Sequence, residues 1–168
     1  TGTRLAMSDL LWRGGEWLAR SGTRPPAEVC RPFDADRSGM VYGEGAAEIV
    51  LESRAHAQRR GARPIARFVA AASRSEAVPP GQRPTGHSIR RAIQAALSQS
   101  GLEPAKLGHV NAHGISTRED DPIEAQAIHD VLGDVPVTAP KSFFGNLGPG
   151  SGMVELVVSL LGLEHDSV

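Results

Sequence analysis

The alternation of apolar and polar residues predicts a chain that mixes helices and strands. Leucine and tryptophan residues recur at helical spacing over residues 4–20 and predict a helix there. After a glycine-rich loop, residues 47–51 and residues 64–72 have the β-branched and apolar character of strands. Residues 54–60, between them, are typical of a short charged helix.

The second half of the chain alternates strand and helix patterns. A polar, proline-rich loop is predicted over residues 73–86, followed by an amphipathic helix over 88–100 that Gly101 closes as a C-cap. Four further elements are predicted in strand, helix, strand, helix order: residues 108–112, 122–132, 135–139 and 151–163. This order is typical of an α/β fold with a parallel sheet and covering helices.

Composition and charge narrow the class of protein. The 168 residues are 40% apolar and 22% charged with a net charge of −1, as in one soluble globular domain that has no general affinity for nucleic acid. The longest apolar run has about eight residues, whereas a membrane-spanning helix needs roughly 20. The single Cys30 excludes an internal disulfide, fits a reducing compartment, and is interpreted as an ordinary thiol because it lies in a loop.

Polar side chains follow two of the predicted strands. His113 ends the first, with Asp121 and Glu124 opening the next helix, and Lys141 and Asn146 follow the second. Because chemistry in open α/β sheets gathers beyond the carboxyl ends of strands, an imidazole and an ammonium are predicted in one crevice. The open alternative is that the acidic residues only stabilise a helix N-terminus and that His113 is a surface histidine.

Three sequence patterns that suggest a metal or nucleotide site are incomplete. The glycines at residues 148–152 do not fit the dinucleotide-binding pattern. Residues 34–39 resemble the start of a calcium loop, but Gly45 stands where the bidentate glutamate is required. His109 and His113 lack a zinc-binding context, so no metal site is predicted.

Three motifs in fixed order resemble the β-ketoacyl synthases of the thiolase-like superfamily. They are RPFDADRSGMVYGEGAAEIVLE, NAHGISTREDDPIEAQAI and KSFFGNLGPGSGMVE, at residues 31–52, 111–128 and 141–155. The resemblance covers nearly the whole chain and implies an incomplete thiolase-like fold with layered αβαβα architecture. Residues 1–66 then form the end of the N-terminal ketosynthase half and residues 67–168 most of the C-terminal half.

The resemblance also implies roles for single residues. His113 resembles the family's first active-site histidine, which hydrogen-bonds the malonyl thioester carbonyl and stabilises the enolate formed on decarboxylation. Lys141 resembles the active-site lysine, with Glu124 as its ion-pair partner and Asp121 in the same network. Substrate binding is assigned to Thr117, which matches a pantetheine contact, and to Ser142 and Gly145.

Several positions depart from the family's pattern. Asn146 stands where the second active-site histidine is usual, and residues 149–151, Pro-Gly-Ser, replace a glycine and two alanines. Ile115 replaces a threonine that contacts pantetheine, and Ala47 replaces a glycine. An asparagine amide can still donate a hydrogen bond, so Asn146 is predicted to act as the second donor.

The implied reaction is a decarboxylative Claisen condensation of an acyl group with a malonyl thioester, in fatty acid or polyketide biosynthesis. The substrates are phosphopantetheine thioesters on an acyl carrier protein, without a dissociable cofactor. A cytoplasmic homodimer or ketosynthase heterodimer is expected. The nucleophilic cysteine is expected upstream of Thr1, so these residues alone are expected to be inactive.

Two other functions are kept as alternatives. The departures at Asn146 and Ile115 favour a non-catalytic ketosynthase-like partner subunit of the chain-length-factor type. A weaker alternative is a free-standing α/β binding domain, which predicts a monomer that folds cooperatively by itself.

Overall fold

The structure is a computed structural model that describes residues 18–19, 25 and 28–167. In chain order its helices are α1 (Arg54–Arg59), α2 (His87–Ser100), α3 (Asp120–Leu132), α4 (Lys141–Phe144) and α5 (Ser151–His165), and its strands are β1 (Val110–Asn111) and β2 (Val137–Thr138). Short 3-10 turns cover Pro104–Lys106 and Gly148–Gly150. Among these residues, none of the helices could span a lipid bilayer.

The sheet is a parallel pair joined through a helix. Val110 pairs with Val137, and the ladder continues through Ala112, whose N–H donates to Thr138 O at 2.8 Å. Helix α3 connects the two strands, which confirms the predicted parallel α/β arrangement. Both strands are shorter than the predicted ranges 108–112 and 135–139, because only their central residues are paired.

The predicted helices of the second half are confirmed. Helix α2 ends at Gly101, which has φ 68° and donates its N–H to Leu97 O at 2.9 Å, as expected of a C-cap. Helix α3 begins two residues before the predicted start, and α5 extends past its predicted end. Ala127 and Ile128 of α3 are buried, so this helix contributes to the core together with Ala112 of the adjoining strand end.

Helix α1 is confirmed, but the two strands predicted beside it are wrong. Residues 47–51 and 64–72 are extended or irregular, and Val50, Leu51 and Phe68 are exposed. A strand needs a neighbour that satisfies its backbone hydrogen bonds, and no described residue pairs with either segment. Their β-branched composition therefore does not suffice to form strands.

The helix predicted over residues 4–20 lies outside the described residues except for Leu18 and Ala19. Leu18 forms a parallel bridge with Met40, and Ala19 N donates to Met40 O at 2.8 Å. These two residues are thus extended rather than helical. The loop predicted over residues 73–86 is confirmed to lack helices and strands.

Candidate active site

The parallel pairing brings the ends of β1 and β2 to the same edge of the sheet. His113 follows two residues after β1, and Lys141 begins α4 three residues after β2. The Lys141 side chain is fully buried, whereas His113 is exposed. The imidazole and the ammonium lie close together as predicted, with Lys141 Nζ 3.3 Å from His113 Nδ1, but the lysine is buried and does not open into a crevice.

Lys141 makes the central contacts of this cluster. Its Nζ donates to the backbone oxygen of His113 at 2.7 Å, lies 3.3 Å from His113 Nδ1, and forms an ion pair with Glu155. A buried ammonium requires such partners, because desolvation without them is costly. An ammonium can only donate, so its contact with Nδ1 leaves the proton of the neutral imidazole on Nε2. Among the residues that the structure describes, Nε2 has no hydrogen-bond partner, so His113 presents Nε2–H as a donor.

The predicted ion pair between Lys141 and Glu124 is wrong, because Lys141 pairs with Glu155. Glu124 instead accepts hydrogen bonds from the backbone N–H groups of His113, at 2.6 Å, and Gly114, at 2.8 Å. These amides lie beyond the end of the strand pairing, so the carboxylate supplies the acceptors that a neighbouring strand would otherwise provide. Glu124 thus holds the backbone of the histidine turn, and Glu155 holds the lysine.

Glu155 was not among the residues predicted from the sequence. It lies in the first half of α5, within an otherwise apolar stretch from Met153 to Leu161 that includes one serine. An acidic residue in such a stretch requires a partner when the helix packs against the protein. This isolated charge was the signal that could have identified it.

Asp121 lies in a different network from the one predicted. Its Oδ2 accepts from Phe33 N at 2.8 Å and lies 3.6 Å from Arg37 Nε, while its side chain is 1% exposed. Burial raises the pKa of Asp121, although the Phe33 amide and the Arg37 guanidinium oppose that rise. Asp121 therefore anchors the segment of residues 31–37 and is not part of the Lys141 cluster.

Other contacts fix residues 31–37 against the histidine turn. Ser116 Oγ accepts from Arg31 N at 3.0 Å, and Arg37 Nε donates to Thr117 O at 2.7 Å. A Cβ added at Gly114 would lie 3.0 Å from the Phe33 ring, so the turn accepts no side chain there. The RPFD motif thus packs directly on the residues that follow His113.

The three predicted substrate-binding residues have different surroundings. Thr117 is buried, and its hydroxyl donates to Asp120 Oδ2 at 2.8 Å while accepting from Asp120 N at 3.0 Å. Ser142 lies in α4, and Gly145 ends that helix with φ 75°. A Cβ at Gly145 would lie 2.8 Å from Val41 O, so the chain passes too close for a side chain.

Asn146 packs against residues 40–43. Its backbone N donates to Val41 O at 2.7 Å, and its backbone oxygen accepts from Gly43 N at 3.0 Å. Its side-chain hydrogen bonds are to Met40, Gly148 and Ser151, and none is to His113 or Lys141. The structure thus joins Lys141 and Glu124 to His113 but not to each other, and connects Asn146 to them only through the intervening helix α4.

Cys30 has the properties of an ordinary thiol. It is buried, and this burial raises its pKa, so the thiol is protonated at neutral pH. A cleft of about 520 Å³ is lined in part by Phe33, Ser142 and His129. None of the five residues assigned to catalysis lines this cleft.

Comparisons with known proteins agree with the fold and the order of the motifs. Two family models match: Beta-ketoacyl synthase, N-terminal domain, over residues 6–57, and Beta-ketoacyl synthase, C-terminal domain, over residues 65–168. The chain is 42% identical over 151 residues to 3-oxoacyl-[acyl-carrier-protein] synthase 2 of Mycobacterium tuberculosis strain H37Rv, covering 85% of this chain and 35% of that protein. It is 41% identical to the tetracenomycin polyketide synthase ketoacyl synthase alpha subunit of Streptomyces glaucescens, covering 83% and 34%.

Two solved structures are similar along almost the whole chain. A β-ketoacyl synthase from Burkholderia phymatum STM815 has a TM-score of 0.84 at 34% identity, covering 98% of this chain and 39% of that one. The ishigamide ketosynthase/chain length factor has a TM-score of 0.81 at 34% identity, covering 95% and 38%.

Together these findings define the class of protein as α/β with a thiolase-like fold, and this chain covers part of that fold. The chain belongs to the β-ketoacyl synthase family. It spans about a third of the length of the curated relatives that it matches.

Proposed function

We propose that this chain is part of a β-ketoacyl-[acyl carrier protein] synthase that catalyses decarboxylative Claisen condensation. The observation that carries the proposal is the contact between buried Lys141 and His113, which leaves Nε2–H of an exposed imidazole as a donor. A donor held in this way can stabilise negative charge that develops on a substrate oxygen, since it needs no reorganisation during the reaction.

In the proposed reaction, the acyl group is first carried as a thioester on a cysteine that is not among these residues. The bond between C2 of the malonyl group and its carboxylate then breaks, carbon dioxide leaves, and the electron pair forms an enolate. His113 and Asn146 donate hydrogen bonds to the enolate oxygen, while Lys141 holds the imidazole. The enolate carbon attacks the acyl thioester, and the cysteine leaves as a thiolate.

The proposed partners follow from this chemistry. The substrates are phosphopantetheine thioesters on an acyl carrier protein, and Thr117, Ser142 and Gly145 contribute to their binding. The intact protein is a homodimer or a ketosynthase heterodimer, without a metal or dissociable cofactor, and works in the cytoplasm. One similar solved structure is described as a type II polyketide synthase acyl carrier protein in complex with its ketosynthase.

The test is a chimera in which residues 31–168 replace the matching residues of the M. tuberculosis relative. We expect His113→Ala to lower malonyl decarboxylation by roughly 100-fold or more, the effect of removing a donor to a developing oxyanion. His109→Ala is the matched control, because this histidine precedes β1 and has no contact with Lys141. An active chimera that tolerates loss of His113 would refute the proposal.

A second candidate is a non-catalytic partner subunit of the chain-length-factor type. Asn146 at the second-histidine position favours it, and so does the similarity to a ketosynthase/chain length factor. The residue at the nucleophile position of the complete protein separates the candidates. A cysteine there favours the enzyme, and a glutamine or another residue favours the partner subunit.

A further inference from the structure

We propose that Ser151 is a positioning residue that fixes the side-chain amide of Asn146 with its NH2 group toward Met40. Both Asn146 and Ser151 depart from the pattern of the family, and the two side chains are in direct contact. Ser151 Oγ donates to Asn146 Oδ1 at 3.0 Å, and the buried serine also accepts from Leu147 N at 2.9 Å. The two departures therefore form one hydrogen-bonded unit.

The orientation of the amide follows from what each neighbour can offer. Gly148 N lies 3.1 Å from Asn146 Oδ1, and a backbone N–H can only donate. The Ser151 hydroxyl uses a lone pair to accept from Leu147 N, so its proton is available to the same oxygen. Two donors thus meet Oδ1, and a flipped amide would place an NH2 group against the Gly148 N–H.

The other end of the amide faces Met40. Asn146 Nδ2 lies 2.7 Å from Met40 Sδ, a weak acceptor on a side chain that is 7% exposed. A primary amide has two N–H groups, and the sulfur takes one of them. Within the described residues the second N–H has no hydrogen-bond partner, so Asn146 offers one directed donor.

This inference deepens the proposed function, on which its catalytic meaning rests. An asparagine whose amide could flip would present either a donor or an acceptor to an enolate oxygen. With Oδ1 occupied by Ser151 and Gly148, the side chain presents only a donor, as stabilisation of an oxyanion requires. Ser151 acts through Asn146 and does not itself contact the substrate.

The experiment measures solvent exchange of the two Nδ2 protons of Asn146 by NMR, in the full chain with 15N-labelled asparagine. The chain contains only one other asparagine, Asn111, whose Nδ2 donates to Ser159 Oγ at 2.8 Å. Two variants of equal shape are compared, Ser151→Thr and Ser151→Val, which differ in the hydroxyl alone. Ser159→Ala, on the same helix, is the matched control.

We expect the Nδ2 proton of Asn146 that faces Met40 to exchange at the wild-type rate in Ser151→Thr. In Ser151→Val it should exchange about fivefold faster, because loss of the hydrogen bond to Oδ1 frees the amide to turn away from Met40. Ser159→Ala should affect only Asn111. Equal exchange in the threonine and valine variants, whether slow or fast, would overturn the proposal. Because the readout needs neither substrate nor nucleophile, its failure is distinct from failure of the decarboxylation test.

Discussion

At the level of single residues, Lys141 carries a charge on a side chain without exposure to solvent. Its ion pair with Glu155 connects the lysine to α5, and its bonds to His113 connect it to the end of β1. Removing one member of a buried ion pair leaves the other charge unpaired in a medium of low polarity. This pair is therefore a sensitive point for stability.

We predict that Glu155→Gln lowers the free energy of unfolding by about 3 kcal/mol, because the Lys141 ammonium loses its counter-charge. Urea denaturation measures the change. Asp130→Asn is the control, since it breaks the more exposed pair with Arg90 and should cost about 1 kcal/mol or less. Equal losses in the two variants would contradict the assignment of Lys141 as a buried, paired ammonium.

The reactivity of Cys30 also depends on its burial. Burial raises its pKa, so the reactive thiolate is scarce at neutral pH and becomes abundant only above the ordinary value of 9.0. Modification by a disulfide reagent at pH 7 should be slower than that of a free cysteine and should accelerate as the pH rises through that range. Unfolding in urea should remove the difference. Rapid modification of the native chain at pH 7 would show a reactive cysteine instead.

At the level of elements, two glycines end helices in similar backbone conformations but in different surroundings. Gly133 ends α3 with φ 67° and ψ −144°, close to the φ 75° and ψ −170° of Gly145, and has no atom within 4 Å of an added Cβ. Gly145 ends α4 with φ 75°, and its added Cβ would lie 2.8 Å from Val41 O. Comparing them separates backbone strain from the close approach of residues 40–43.

We predict that Gly133→Ala lowers the free energy of unfolding by about 1 to 3 kcal/mol, the usual cost of a non-glycine residue in a sparsely populated backbone region. Gly145→Ala should cost at least about 1 kcal/mol more, since the added methyl group forces the neighbouring backbone apart. Chemical denaturation of both variants provides the comparison. If Gly145→Ala were no worse than Gly133→Ala, the close approach would not contribute to stability.

At the level of the whole molecule, several large apolar side chains are exposed. They include Val50, Leu51 and Phe68 of the extended segments where strands were predicted, several side chains of α5, and Phe143 of α4, which is 92% exposed. Apolar area of this kind usually marks an interaction surface or a tendency to associate. Isolated chains of this sequence should therefore bind one another.

We predict concentration-dependent association of the isolated chain in sedimentation velocity measurements. The double variant Leu51→Ser with Phe68→Ser should weaken association by roughly tenfold or more, because burial of these side chains drives it. Gln82→Ser, an exposed polar position, is the control. A chain that stays monomeric at all concentrations would show that these exposed apolar side chains do not drive association.

The strand predictions show that a local sequence pattern does not by itself predict a β-strand. Residues 64–72 contain more β-branched and aromatic residues than residues 108–112, yet only the second range contains a strand, because Val110 has a partner in Val137. Helices close their hydrogen bonds within one segment, so residues 88–100 could be predicted from periodicity alone. Pairing between strands depends on what else lies beside them.

The candidate site likewise has features that the sequence predicted and features that depend on packing. The α/β class, the order of the motifs, and the positions of His113 and Lys141 at neighbouring strand ends could be predicted from the sequence, since these depend on local patterns and on chain direction. The packing of distant segments was needed to show that Glu155 pairs with Lys141, that Glu124 binds backbone amides, and that Asp121 holds Phe33. Carboxylates take the nearest unsatisfied donors, and which donors are nearest depends on how distant segments pack.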